Sequence, residues 1–517
     1  SQSVSQSVSQ SVSQSVSQRL WWELFTVNSG RLIYLRMLVL VFVFLLYGLP
    51  GEAGQLQRPN VLFIAIDDLR TELGCYGLPY VQSPSLDRLA SQGVLFTNHF
   101  VQVPTCGASR YALLTGRSPQ NSGVTRSNQA FYRGNSALSA SQTDGAQTLP
   151  ELFRRSGYQT TCIGKISHTA DGRVFEYNGS GDGRDELPHA WDELATPFGS
   201  WKRGWGIFFA YANGRSREDG TGIRDLMEFT AEKDEDLPDG LLAQQAIQKL
   251  GELKQQKQPF FLGLGFIKPH LPFVAPAQDW EAMSRVAIPP PPHPAKEKSS
   301  YWHKSGEFYN YDMEFEKTRP LAEAAQIKSR RAYLAYVRYV DRQVGKVLAS
   351  LDELGLSENT IVVVWGDHGW FLGDTALWAK HAPFERALKS TLIIRAPGVS
   401  QAGLKSSALV ESVDLYPTLV ELCQPEFQKT HYPLDGISLK SILNGNKTEV
   451  REAALSYWNA AVSVRTKTHR LIATTGEEQP TKLELYDITK TPDPVQNLSD
   501  TQPELVQELL EFLPARK

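Results

Sequence analysis

Three short apolar runs stand out along the chain, each lacking the polar alternation of a half-exposed strand. They are Val61–Ile66, Phe260–Phe266 and Ile361–Trp365. A continuous apolar run of this length reads as a strand covered on both faces, the mark of a parallel α/β sheet. Between the runs the spacing changes to the helical period. Helices are predicted over Ser85–Gln92, closed by Gly93, and over Thr148–Ser156, closed by Gly157. The longest, Arg330–Leu354, carries apolar residues at Tyr333, Val337, Val340, Val344, Val347 and Leu351 and stops at Gly355. After a break near Asn444-Gly445, Ala461–Val464 and Leu483–Tyr486 read as strands and Pro503–Phe512 as a last helix. Segments 170–235, rich in Gly and Asp, and 287–320, with Pro289 to Pro292 and many aromatics, have no clean period. They read as rim insertions, where substrate loops sit.

Length and composition set the organisation. The 517 residues, 41% hydrophobic, suffice for one large core and a smaller one. Residues 1–18 repeat Ser-Gln-Ser-Val, too polar to build a core. Arg31 and Arg36 then precede the apolar stretch Met37–Tyr47, followed by small residues at Gly51, Ala53 and Gly54. This is the order of a secretory signal, and the stretch is too short to span a bilayer comfortably. The expected organisation is a leader and signal peptide over 1–53, a catalytic domain over 54–444 and a small α+β subdomain over 445–517, in an exported protein. The net charge of -3 argues against a nucleic-acid binder with a broad basic surface. Four cysteines are too few for a disulfide scaffold. Cys75, Cys162 and Cys423 read as small core residues.

The chemistry lies where functional residues of such sheets gather, beyond the carboxyl ends of strands. Asp67-Asp68 follow the first run and Asp367-His368 the third. Either pair alone could be a turn or helix cap. Together they bring three carboxylates to one sheet edge, a donor set for a hard cation such as calcium. Cys106 opens a helical pattern with Arg110 one turn on, along the same face. A thiol at a helix N-terminus is expected to have a lowered pKa. Lys165 with His168, Lys268 with His270, and Lys380 with His381 are three basic pairs after apolar runs or tight loops. They suggest a local anion pocket.

At these residues the chain resembles the sulfatase family. Cys106-Gly107-Ala108-Ser109-Arg110, running on to Thr115-Gly116, resembles the signature Cys-x-Pro-Ser-Arg followed by an apolar helix. Gly157-Tyr158 through Gly164-Lys165 to His168 resembles the second signature. Lys268-Pro269-His270, Trp365 to Trp370 and Leu377-Trp378-Ala379-Lys380 are most similar to the iduronate-2-sulfatase branch. The resemblance implies an alkaline-phosphatase-like fold, a large mixed or parallel sheet flanked by helices. It implies a formylglycine made from Cys106 by a formylglycine-generating enzyme, hydrated to a gem-diol whose oxygen attacks sulfur. It implies calcium held by Asp67, Asp68, residue 106, Asp367 and His368. Arg110 and His168 would hold the diol, Lys165 and Lys380 the sulfate oxygens, and His270 would be the general acid. The implied substrate is a sulfated oligo- or polysaccharide with 2-O-sulfated uronate. Two departures stand out: Ala108 replaces the signature Pro, and Asp374 replaces a common Glu. The competing readings are a phosphodiester or phosphonate hydrolase of the same superfamily, and an inactive glycan-binding relative with unconverted Cys106.

Overall fold

The three apolar runs become the middle of one eight-stranded sheet. The computed structural model describes residues 58–291, 298–302, 306–476 and 479–514. The segment 1–53, expected to hold a leader and signal peptide, lies outside the described residues. In chain order the sheet strands are β1 (Asn60–Ile66), β2 (Val94–Phe100), β3 (Gln159–Gly164), β4 (Glu193–Leu194), β5 (Phe260–Phe266), β6 (Thr360–Gly366), β7 (Leu392–Arg395) and β8 (Leu404–Glu411). Their spatial order is β8-β2-β7-β6-β1-β5-β3-β4. β6, β1, β5 and β3 are consecutive and parallel, with Ile66 level with both Phe266 and Gly366, and Gly164 level with Gly265. Four carboxyl ends therefore open at one edge. The sheet is mixed, because β7 runs antiparallel to both β6 and β2. Its four residues were too short a run to register as a strand.

Alternate residues of β1 enter different cores. Leu62, Ile64 and Ile66 pack with the helices α1 (Pro84–Gln92), α4 (Pro238–Lys254) and α5 (Glu323–Glu353). Val61, Phe63 and Ala65 pack with α2 (Cys106–Thr115), α3 (Leu149–Arg155) and α6 (Leu415–Cys423). Side chains of a strand alternate between faces, so a run apolar at every position needs a helical layer on both. α5 begins seven residues earlier than the spacing predicts, at Glu323.

A second, four-stranded antiparallel sheet follows: β9 (Ala454–Trp458), β10 (Ala461–Arg465), β11 (His469–Thr474) and β12 (Thr481–Asp487). The last helix, α7 (Pro503–Leu510), packs Val506 and Leu509 on Val464, Leu471 and Leu485. The other face of this sheet, through Ala461, Ile472 and Tyr486, closes over Phe371, Leu377 and Phe384 from the loop after β6. Among the described residues no helix is long and apolar enough to cross a membrane.

Candidate active site

Four neighbouring strands and one helix build the site. β1 delivers Asp67 and Asp68, β6 delivers Asp367 and His368, β3 delivers Lys165, and β5 delivers His270. Cys106 is the first residue of α2, as its spacing predicts. All ten residues of α2 are buried, so the helix is enclosed on every side, with Ser109, Arg110 and Thr115 as its polar members. Its start is anchored from outside: Asn128 Oδ1 accepts the Gly107 N–H at 2.8 Å and the Thr105 hydroxyl at 3.1 Å. Gly107 is obligatory there, since a Cβ would lie 2.3 Å from Asn128 Cα. Ala108 occupies the first helical turn, where a backbone N–H has no helical partner and proline is equally tolerated.

Cys106 Sγ lies 3.3 Å from Asp67 Oδ1 and 3.3 Å from His368 Nε2. Ligand atoms of Asp67, Cys106, Asp367 and His368 all fall within 4.8 Å of one another. Asp68 sits beside this set rather than in it. Its Oδ1 accepts from Lys380 Nζ at 2.9 Å, its N–H donates to Asp367 Oδ1 at 3.0 Å, and its Oδ2 is buried without a hydrogen-bond partner. Asp68 takes φ 61, a left-handed conformation uncommon outside glycine, of the kind that clusters at functional sites.

Two ammonium groups face the cysteine. Lys380 Nζ is 3.3 Å from Sγ, and Lys165 Nζ pairs with Asp67 Oδ2. Burial would raise the Asp67 carboxyl, but the Lys165 ammonium, helped by His270, Arg110 and Lys380, holds it well below the usual range. Burial pushes Asp68 well above that range despite Lys380. The predicted low thiol pKa does not hold: burial and the neighbouring Asp67 push Cys106 up to about 12. The helix terminus is outweighed because thiolate would be a further anion in a desolvated acidic cluster.

The remaining predicted residues divide. Arg110 is fully buried, and its Nη2 has no hydrogen-bond partner. Its Nε donates to Asp367 Oδ2 at 2.9 Å and its Nη1 to the carbonyls of Lys165 and Ile166. It thereby ties α2 to the ends of β6 and β3. His270 Nδ1 is 2.7 Å from the Leu271 carbonyl, which makes Nδ1 the protonated nitrogen and turns Nε2 toward Asp68 Oδ2 at 4.0 Å. Burial, then Lys380, push His270 down to about 4. Lys268 leaves the anion pocket: its Nζ donates to the carbonyls of His270 and Pro272. Burial there brings it down to about 8. His168 lines a cavity of about 200 Å³ with Asn128, Tyr132, Phe175, Glu176, Tyr177 and Trp205. Its Nδ1 is buried without a hydrogen-bond partner.

Both rim insertions reach this centre. The 170–235 segment supplies four of the cavity residues, and Phe208 lies 4.6 Å from the His270 ring. The 287–320 segment supplies Glu307, which sequence reasoning missed. Glu307 Oε1 is 3.5 Å from both His270 Nε2 and Lys380 Nζ. It is one of several acids in an aperiodic stretch, and no local signal distinguishes it.

Comparison with known proteins agrees with this geometry. The family model described as sulfatase matches residues 59–424, and that of the N-sulphoglucosamine sulphohydrolase C-terminal region matches 366–515. The iduronate 2-sulfatase of Mus musculus is 30% identical over 477 residues, covering 78% of this chain and 80% of the relative. A Formosa agariphila sulfatase is 32% identical, covering 71% and 70%. In fold, the phosphonate monoester hydrolase of Silicibacter pomeroyi aligns with TM-score 0.65 at 23% identity, covering 88% of this chain and 94% of the other. The chain belongs to the sulfatase family, the hydrolases of sulfate esters.

Proposed function

We propose that this chain removes 2-O-sulfate from uronate in sulfated glycans, with Cys106 converted to formylglycine and a calcium ion held beside it. The observation that carries the reading is the buried convergence of residue 106 with Asp67, Asp367 and His368, faced by Lys165 and Lys380. A cation fits this site on its own terms. Two carboxylates, Asp67 and Asp367, crowd one point with His368, and the Asp68 Oδ2 beside them lacks a partner. Calcium prefers oxygen donors, so a thiol at 106 is a poor ligand and a hydrated aldehyde a good one. The buried thiol is also protonated at neutral pH, which disfavours unmodified Cys106 as nucleophile.

When present, the formylglycine supplies a hydrated aldehyde as nucleophile and the cation lowers the pKa of oxygen bound to it. The protein's own residues do the rest. Lys165 and Lys380 stabilise charge growing on the sulfuryl oxygens. Arg110 fixes Asp367 and the Lys165 backbone, which holds both groups in register. His270 directs Nε2 at the site, and a bound sulfate anion raises its proton affinity, the direction a general acid needs. The cavity beside His168, walled by Tyr132, Tyr177 and Trp205, suits a sugar ring. The 2-O-uronate preference rests on the iduronate 2-sulfatase relatives. Maturation by a formylglycine-generating enzyme and export through the Met37–Tyr47 segment complete the proposal.

The test is mass spectrometry of the peptide spanning residue 106, paired with desulfation of defined disaccharides. Aldehyde at 106, turnover of 2-O-sulfated uronate and no turnover of 6-O-sulfated glucosamine are expected. Cys106→Ser should bind substrate and not turn over, because a serine sulfate has no geminal hydroxyl to expel sulfate. A fully active protein carrying unmodified cysteine would exclude this mechanism.

A further inference from the structure

We propose that Glu307 selects the singly charged sulfate ester over the doubly charged phosphate monoester. This rests on the reading that Lys380 and His270 hold the ester. Glu307 brings a carboxylate to both of them, at 3.5 Å each, and its Oε2 is 3.8 Å from His381 Nδ1. The side chain does nothing evident for its own loop. It stands at the N-cap of the turn Phe308–Asn310 without capping it, and Oε2 is buried with no hydrogen-bond partner. Lys380 is already paired with Asp68, so a second carboxylate is surplus to holding that lysine.

The geometry sets a charge limit on the ligand. An ester seated against Lys380 and His270 lies within a few ångströms of Glu307 and is repelled in proportion to its charge. A sulfate ester carries one negative charge. A phosphate monoester carries two above its second pKa of about 6. The extra charge meets the carboxylate in a desolvated site, where like charges are strongly penalised. Removing Glu307 should therefore favour the dianion specifically, by roughly tenfold to a hundredfold.

Three aryl esters sharing one leaving group separate charge from chemistry: 4-nitrophenyl sulfate, 4-nitrophenyl phosphate and methyl 4-nitrophenyl phosphate. Their kcat/KM values are compared above pH 7 for the mature wild-type protein, Glu307→Gln and Glu307→Asp. In Glu307→Gln the phosphate-monoester to sulfate ratio should rise by at least about tenfold, while the diester to sulfate ratio stays within about twofold. Glu307→Asp should keep the wild-type ratios, and it carries the test if the Gln variant folds poorly. A monoester ratio that does not move, or a uniform rise on all three esters as from removal of a steric plug, overturns the role of Glu307 alone. Wild-type protein that cleaves the phosphate but not the sulfate overturns the underlying placement of a sulfate ester.

Discussion

Single residues show how far burial can reverse a local expectation. Asp374 stands where the sulfatase resemblance implies a Glu, and its surroundings hold it tightly. Arg70 reaches it at 2.6 Å, Arg386 at 3.5 Å, and the Leu372 N–H donates at 2.8 Å. Burial would raise this carboxyl, but Arg70, Arg386 and Arg330 hold it well below its ordinary value. A depressed folded pKa contributes stability above the unfolded value of about 3.9 and loses it as pH falls toward the folded value. Asp374→Ala should cost about 3–5 kcal/mol in urea unfolding at pH 7, since it strands buried guanidiniums. The deficit against wild type should shrink below about pH 4. A deficit independent of pH would show that packing, not charge, is lost. Asp67, Asp68, Asp367 and His368 were legible as candidates because each adjoins a recognisable strand end. Glu307 was not, because its neighbours at the site lie far away in sequence.

At the scale of elements, the close approach of β3 and β5 positions Lys165. Phe260–Phe266 carries glycine at 263 and 265, unusual in a strand so fully buried. The second is explained by contact: a Cβ on Gly265 would sit 2.0 Å from the Lys165 carbonyl oxygen. That same oxygen accepts from Arg110, which in turn holds Asp367. Gly265→Ala must push the end of β3 outward and carry Lys165 with it. Displacement on the order of 1 Å costs about a hundredfold in rate. The expected result is a kcat/KM lower by about that factor, with a melting transition that remains cooperative. Unchanged kcat/KM would mean that β3 can yield without moving the lysine. Strand and helix types were readable here from periodicity, while the need for glycine became visible only with the strands side by side.

Over the whole molecule, the second sheet buttresses the loop that carries Lys380. Glu385, buried, receives Arg465 Nε at 3.0 Å and Arg470 Nη2 at 2.6 Å. Asp493 pairs with Arg386 at 2.6 Å. Burial opposes ionisation of Glu385, but the two guanidiniums hold its carboxyl well below the usual range. Glu385→Gln leaves two buried cations facing a neutral amide and should cost about 3–5 kcal/mol. Activity on sulfate ester should fall with it, because the Phe371, Leu377 and Phe384 packing that backs Lys380 depends on this sheet. Urea unfolding followed alongside turnover checks both, and a destabilised variant with wild-type turnover would separate the buttress from catalysis.

Periodicity and punctuation are local, and they suffice for whatever a strand or helix states about itself. Hence the three central strands, the helix opening at Cys106, the long helix α5 and the family signatures were readable in one dimension. Strand order, the antiparallel β7 and the ionisation of Cys106 were not. They depend on which surfaces meet, and on how much water and opposing charge those contacts leave around each group. Arg110 and Lys268 show the difference most directly. Both read as cations at the site, yet Lys268 donates to the backbone beside His270, and Arg110 binds Asp367 and two carbonyls while its Nη2 stays buried without a hydrogen-bond partner. A charged side chain's type is written in the chain, but its partner is decided by packing, because a desolvated charge takes whichever counter-group the fold brings within reach.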